Sequence, residues 1–206
     1  MKSFFIAAVI ILGCVIVGGA AFVLSGIYNV AADVPHWSVT FWLLEAVRDR
    51  SIEVHSKGIA VPPLNDKGLV QAGFPHFREM CLFCHGGPGY PREEFAEGMY
   101  PNPPSLSSHE VQRENEDREL FWIVKNGLKM TGMPSFGKTH TDKQIWGIVA
   151  FVRSLPSLDP QTYKQMVERL SQSAGGGTPR PEHETNARSE TQGDEKKGDL
   201  PAGESR

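Results

Sequence analysis

Hydrophobic and polar positions divide the chain into residues 1–32, 33–66, 67–158 and 159–206. No charged residue occurs between Ser3 and Ala32, and Phe4–Ile27 is almost wholly apolar. A helix needs roughly 20 apolar residues to cross a bilayer core, so residues 1–32 are expected to form a transmembrane anchor. A signal peptide's apolar region runs about 7–15 residues; this stretch is longer, although Ala20, Ala21 and Ser25 offer a small-residue cleavage site. Ile11-Leu12-Gly13-Cys14 resembles a lipobox, but the chain stays apolar from Val15 to Leu24 where a mature lipoprotein turns polar. Cys14 therefore reads as a membrane-helix cysteine. Lys2 and the amino terminus precede the span and Asp33 follows it, so the positive-inside bias puts the rest of the chain outside the cytoplasm, in the periplasm.

Residues 33–66 begin with Pro35-His36-Trp37 and continue into a helix expected over Ser38–His55. Its first half holds Phe41, Trp42, Leu43, Leu44 and Val47, and charge appears only from Glu45 onward. Trp beside a span commonly marks the bilayer interface, which is one reading of this helix; a docking surface for a membrane partner is the other. Lys57–Asp66, with Pro62-Pro63, reads as a linker, because paired prolines stop helices.

Helical spacing dominates residues 67–158. Gly68–Met80 carries Phe74 and Phe77, and Glu110–Gly127 carries Leu120, Phe121, Ile123 and Val124, with Gly127 as a C-terminal stop. Thr141-Asp142 caps a last helix whose Ile145, Trp146, Ile148, Val149, Phe151 and Val152 fill one broad face before Pro156. No alternating strand pattern of useful length occurs, so the expected class is all-α. In 159–206, Gln161–Ser171 suits a short helix. Gly175-Gly176-Gly177 then opens a polar tail without aromatics, which has too little apolar surface to offset its ordering entropy.

Composition changes this picture little. The 206 residues carry a formal net charge of −3, with 40% hydrophobic and 22% charged, which argues against nucleic-acid binding and whole-chain disorder. The compact region is small for a domain without a disulfide, so a cofactor is expected to complete its core.

Candidate chemistry lies in Met80-Cys81-Leu82-Phe83-Cys84-His85. C-x-x-C-H is the haem attachment pattern. On one helical turn the two thiols can form thioethers with one porphyrin, and His85 then follows as proximal iron ligand. A thioredoxin-type pair would sit near a βαβ pattern, which is missing here. A zinc site needs about four Cys or His ligands, and the remaining cysteine of the chain's 3 is Cys14. For the sixth iron position, Met130 and Met133 compete. Met133 sits between Gly132 and Pro134 at the centre of a loop after a helix, whereas Met130 lies nearer the helix end and suits packing. A methionine ligand there raises the potential.

Taken in order, Cys81-x-x-Cys84-His85-Gly86, Tyr100-Pro101-x-Pro103-Pro104-x-Leu106, Gly132-Met133-Pro134 and Ile145-Trp146-x-Ile148-Val149-x-Phe151 before Leu155-Pro156 resemble a class I monohaem cytochrome c of the bacterial membrane-bound type. The resemblance covers about 67–156. It implies a compact fold of three to five helices around one haem c, attached through Cys81 and Cys84 and ligated by His85 and Met133. It also implies a crossing of first and last helices at Gly73, Phe77 and Phe151, and a Pro103-Pro104 loop against the haem whose carbonyl accepts the His85 Nδ1 proton.

The expected function is transfer of single electrons between respiratory-chain partners by a tethered carrier; the alternative is a cytochrome c subunit of a larger membrane dehydrogenase, oxidase or reductase. A gas sensor or peroxidase would require an open sixth site. No acid–base constellation makes the chain an enzyme by itself. Expected partners are redox proteins in or near the membrane, with no nucleic acid and no small-molecule substrate. Lys125, Lys129, Lys138 and Lys143 flank the methionine loop, against Asp142, while Glu93, Glu94, Glu97, Glu110, Glu114, Glu116, Asp117 and Glu119 crowd the middle stretch. A positive rim would steer an acidic partner; the same lysines also suit an ordinary solvated surface.

Overall fold

The computed structural model describes residues 1–173, so the tail expected to be disordered beyond Gly175 lies outside the described residues. Helix α1 (Lys2–Ser25) is long and apolar enough to cross a membrane. It is joined by residues 26–37 to α2 (Ser38–Ser56). Aromatic contacts fasten this junction. The rings of Phe22 and Tyr28 meet Trp37 at 6.1 and 5.1 Å. The Tyr28 hydroxyl lies 2.6 Å from His36 Nδ1, and the His36 N–H donates to the Tyr100 hydroxyl at 3.2 Å. Through His36 the exit of the membrane helix is tied to the loop around residue 100.

Helix α3 (Lys67–His76) starts where Asp66 caps it, its carboxylate accepting from the Gly68 and Leu69 N–H groups. Pro75 lacks an amide hydrogen, and after it the chain widens into a π-turn over Phe77–Cys81, closed by Leu82 N–H to Phe77 C=O. Helix α4 (Leu82–His85) continues it and carries the end of the C-x-x-C-H motif. Two short helices follow, α5 (Glu94–Glu97) and α6 (His109–Glu114), then α7 (Asp117–Asn126), α8 (Asp142–Ser154) and α9 (Pro160–Ser173).

The expected continuous helix over Glu110–Gly127 is broken between α6 and α7 at Asn115 and Glu116. Glu116 N-caps α7 in a capping box with Glu119. Arg153 of α8 reaches into the break, donating to the carbonyls of Gln112 (2.8 Å) and Asn115 (2.6 Å) and to Asp117 (2.7 Å). It satisfies the carbonyl groups that an interrupted helix leaves over.

The core forms where α3 crosses α8. Gly73 and Gly147 face each other there, and a Cβ built at Gly73 would overlap the Gly147 carbonyl. This approach brings Phe74 and Phe77 to ring distances of 5.3 and 5.1 Å from Phe151. Tyr163 of α9 joins the same cluster and is fully buried. A second cluster joins α7 to α8 through Phe121 stacked on Trp146 at 4.3 Å. Each fully buried side chain of this size contributes roughly 1.5–3 kcal/mol. Against α7, helix α2 lays its second half, with Ile52 buried and the His55 ring 5.7 Å from Trp122. The fold is all-α with one membrane-length helix among the described residues. Counted with single turns, residues 67–158 hold six α-helical segments, α3 to α8, against the three to five that the resemblance implied for the haem domain.

Candidate functional site

Between α2, α3–α4, α7, α8 and the two proline-rich loops lies a cavity of about 800 Å³. That is within the ~300–1,000 Å³ common for cofactor sites. Cys81, Cys84, His85 and Met133, the four candidates from the sequence, all line it. The rest of the wall is mostly apolar, including Leu106, Leu120, Val124, Leu128, Ile148 and Val149.

The motif reaches the wall because α3 and the π-turn carry it in from the α3–α8 crossing. His85 Nδ1 donates to the Pro104 carbonyl at 2.7 Å. A carbonyl only accepts, so the bond fixes the proton on Nδ1 and leaves Nε2 with a free lone pair. Burial, and then the charge of Arg92, hold the imidazole below its ordinary pKa against the pull of that bond. The loop is itself held: Arg92 donates to the Pro103 carbonyl at 2.8 Å and pairs with Glu97 at 3.1 Å.

Met133 is placed by the end of α7. Gly127 stops that helix at φ +69, and a Cβ there would fall 2.7–2.8 Å from the backbone of Met133 and Pro134. The loop folds back along the helix end. Phe136 N–H donates to the Val124 carbonyl, Gly137 N–H and the Ser135 hydroxyl donate to the Lys125 carbonyl, and Met133 N–H donates to Thr131 Oγ1. Met130 has φ +60, is 75% exposed and is not part of the cavity wall. The geometry therefore separates the two methionines. Met99 and Met80 also line the cavity. Sequence reasoning passed over Met99, whose thioether lies close to Gly132; nothing in its local sequence marks it.

Burial pushes the Cys81 thiol up to about 12, with neighbouring Cys84 adding to the shift, and burial raises Cys84 too. Both shifts run opposite to the lowered thiol pKa on which a redox-active C-x-x-C pair depends. Among the described residues no group of three or more His, Cys, Asp or Glu could hold a metal ion, which leaves the zinc reading without ligands. Two thiols on a helical turn, an imidazole with its outer nitrogen already committed, a thioether and a large apolar cavity fit a haem.

Residues 68–152 match the family model described as Cytochrome C oxidase, cbb3-type, subunit III. The matched stretch runs from the start of α3 almost to the end of α8, so it holds the motif, both loops and the crossing helices. No curated protein matches the chain. With α1, which is long and apolar enough to cross a membrane, the match supports a membrane-anchored, haem-associated electron-transfer protein whose residues 68–152 are similar to that oxidase subunit. Its part is that of a non-catalytic electron carrier.

The charges around the site are arranged more locally than the sequence implied. Lys125 is engaged with Asp142 at 2.6 Å and sits over the Phe121 ring; Lys129, Lys138 and Lys143 are exposed. His140 is turned to His76, ring to ring at 5.0 Å, and is not part of the cavity wall.

Proposed function

We propose that the chain is the electron-delivering cytochrome c subunit of a membrane-bound respiratory oxidase or reductase. It holds one haem through thioethers at Cys81 and Cys84, with His85 and Met133 as axial ligands. The observation that carries this reading is the convergence of these four side chains on one cavity, with His85 Nδ1 donating to Pro104. A haem bound there supplies one-electron cycling of its iron.

The residues around it keep the ligands in place. Pro104 orients the imidazole and raises its basicity. The loop hydrogen bonds behind Met133 hold its thioether in position, which keeps reorganisation small. The crossing at Gly73 and Gly147 supports a class I arrangement of first and last helices.

The match to an oxidase subunit favours a resident of a complex over the stand-alone tethered carrier expected from the sequence. The exposed side of α2 supports this too. Val39, Trp42, Leu43 and Val47 form an apolar stripe on it, with Val39 75% and Trp42 67% exposed. The stripe begins beside Trp37, which touches the end of α1, so a bilayer interface or a membrane subunit covers it. The charges at Lys2 and Asp33 support a periplasmic haem domain.

The test is mild-detergent extraction of the tagged full chain from its native membrane. Co-purification of a catalytic oxidase or reductase subunit in fixed ratio is the expected result. A monodisperse lone cytochrome that still accepts and donates electrons returns the free-carrier reading.

A further inference from the structure

Helix α2 lies outside the matched residues 68–152, yet it forms part of the cavity wall through Glu45, Arg48, Asp49 and Ile52. These positions are spaced i, i+3, i+4, i+7 and therefore share one face of the helix. Ile52 is buried and the helix is docked on α7, so this face is fixed against the cavity. The exposed apolar stripe lies on the other side: Val39 and Arg48, nine residues apart, are about 180° apart around the axis.

The sign of the charge on the cavity wall is uneven. Glu45, Asp49, Glu114 and Glu119 are acidic lining residues, and Arg48 is the one Lys or Arg among the described residues that lines the cavity. A haem brings two propionate carboxylates, which need a cation or water to be buried next to four acidic groups. Arg48 now spends its guanidinium on partly exposed neighbours, Asp49 at 2.8 Å and Glu45 at 3.5 Å. Partly exposed pairs of this kind contribute little, because solvent screens them. A planar guanidinium can give a carboxylate two parallel bonds while keeping a remaining donor for Asp49.

We infer that Arg48, on a helix outside the family-matched segment, is the counter-ion of a haem propionate, so that α2 is a structural wall of the haem crevice that sets its potential. The inference rests on the haem reading above. Cation removal beside a propionate leaves more negative charge near the iron, which favours the oxidised form and lowers the midpoint potential. Arg48 acts here as a positioning and tuning residue, with no part in ligating iron.

The experiment compares the full chain in detergent as wild type, Arg48→Gln, Arg48→Lys and Arg50→Gln. Arg50 is a control of equal charge on the same helix; it pairs with Glu53 and does not line the cavity. Covalent haem is first verified by denaturing gel and mass. Midpoint potential is then read by spectroelectrochemical titration, and the propionate bending modes by resonance Raman. The expected result is a lowered potential and shifted propionate modes in Arg48→Gln, partial recovery in Arg48→Lys, and wild-type values in Arg50→Gln. Haem-loaded Arg48→Gln with the same potential and modes as Arg50→Gln overturns the inference and leaves the haem reading standing. Wild type without covalent haem overturns both.

Discussion

Gly73→Ala is expected to destabilise the protein severely and Gly147→Ala hardly at all, although both place one methyl at the same helix crossing. Helix propensity alone favours both changes, since Ala is better than Gly by ~0.8–1.0 kcal/mol in a helix interior. Contact separates them. A Cβ at Gly147 would lie 3.3 Å from Gly73 N and from the Leu69 carbonyl oxygen, so a shift of a few tenths of an ångström accommodates it. The propensity gain then roughly cancels the strain. A Cβ at Gly73 would overlap the Gly147 carbonyl and lie 2.9 Å from Ile148 N. Both are backbone atoms of α8, and no rotamer change can relieve them. The helices must part, which loosens the Phe74 and Phe77 contacts on Phe151. Overpacking costs typically ~1–3 kcal/mol, and backbone against backbone belongs at the upper end or beyond. After the propensity gain, a net loss of about 2 kcal/mol or more remains for Gly73→Ala, against a change within about 1 kcal/mol for Gly147→Ala. A domain stable by only ~5–15 kcal/mol registers that difference clearly. Urea titration of the haem-loaded full chain in detergent, followed by circular dichroism, gives both values. Equal stability of the two variants, or Gly73→Ala matching wild type, would refute the packing argument.

Arg153→Met should cost about 2–3 kcal/mol in the same titration, because it strands the carbonyls of Gln112 and Asn115 and the Asp117 carboxylate. Asp117→Asn should cost about 1 kcal/mol or less, and equal losses in the two variants would contradict the break-filling role of Arg153. His76 is held below its ordinary pKa by burial and by the charge of His140, with Glu79 opposing. The unfolded chain therefore binds more protons just below pH ~6.5, and stability falls as pH drops from there through the lower folded value. His76→Gln should flatten stability over that window, and unchanged slopes would remove His76 as a source of the pH dependence.

The membrane helix was plain in the sequence, because an uncharged apolar run of that length is stable as a helix in a bilayer and too costly to leave in water. Helix α8 was equally plain, since its Thr141 cap and dense apolar face need no tertiary knowledge; the cap bond from Gln144 N–H to Thr141 Oγ1 is present at 3.4 Å. C-x-x-C-H and the Gly132-Met133-Pro134 loop were legible because haem attachment and a ligand loop leave local marks. Helix α2 was harder to read. Its cavity face is Glu45, Arg48, Asp49 and Ile52, three charges and one apolar residue, so hydropathy gives no sign that this face lines a cavity. The break before α7 was hidden because the residue that compensates for it, Arg153, lies far along the chain. Tyr163 in the core was hidden in the same way, since α9 docks only on the finished α3–α8 crossing.

The optical spectrum of protein made in cells able to attach haem, oxidised and reduced, for wild type and Met133→Ala, tests the central claim most directly. The predicted result is a covalent, six-coordinate, low-spin haem in wild type, and loss of the sulfur–iron charge-transfer band in the variant with covalent attachment retained. A band that survives in Met133→Ala would hand the ligand role to another residue, with Met99 first to be replaced, and a wild type that carries no covalent haem would contradict the haem assignment at its base.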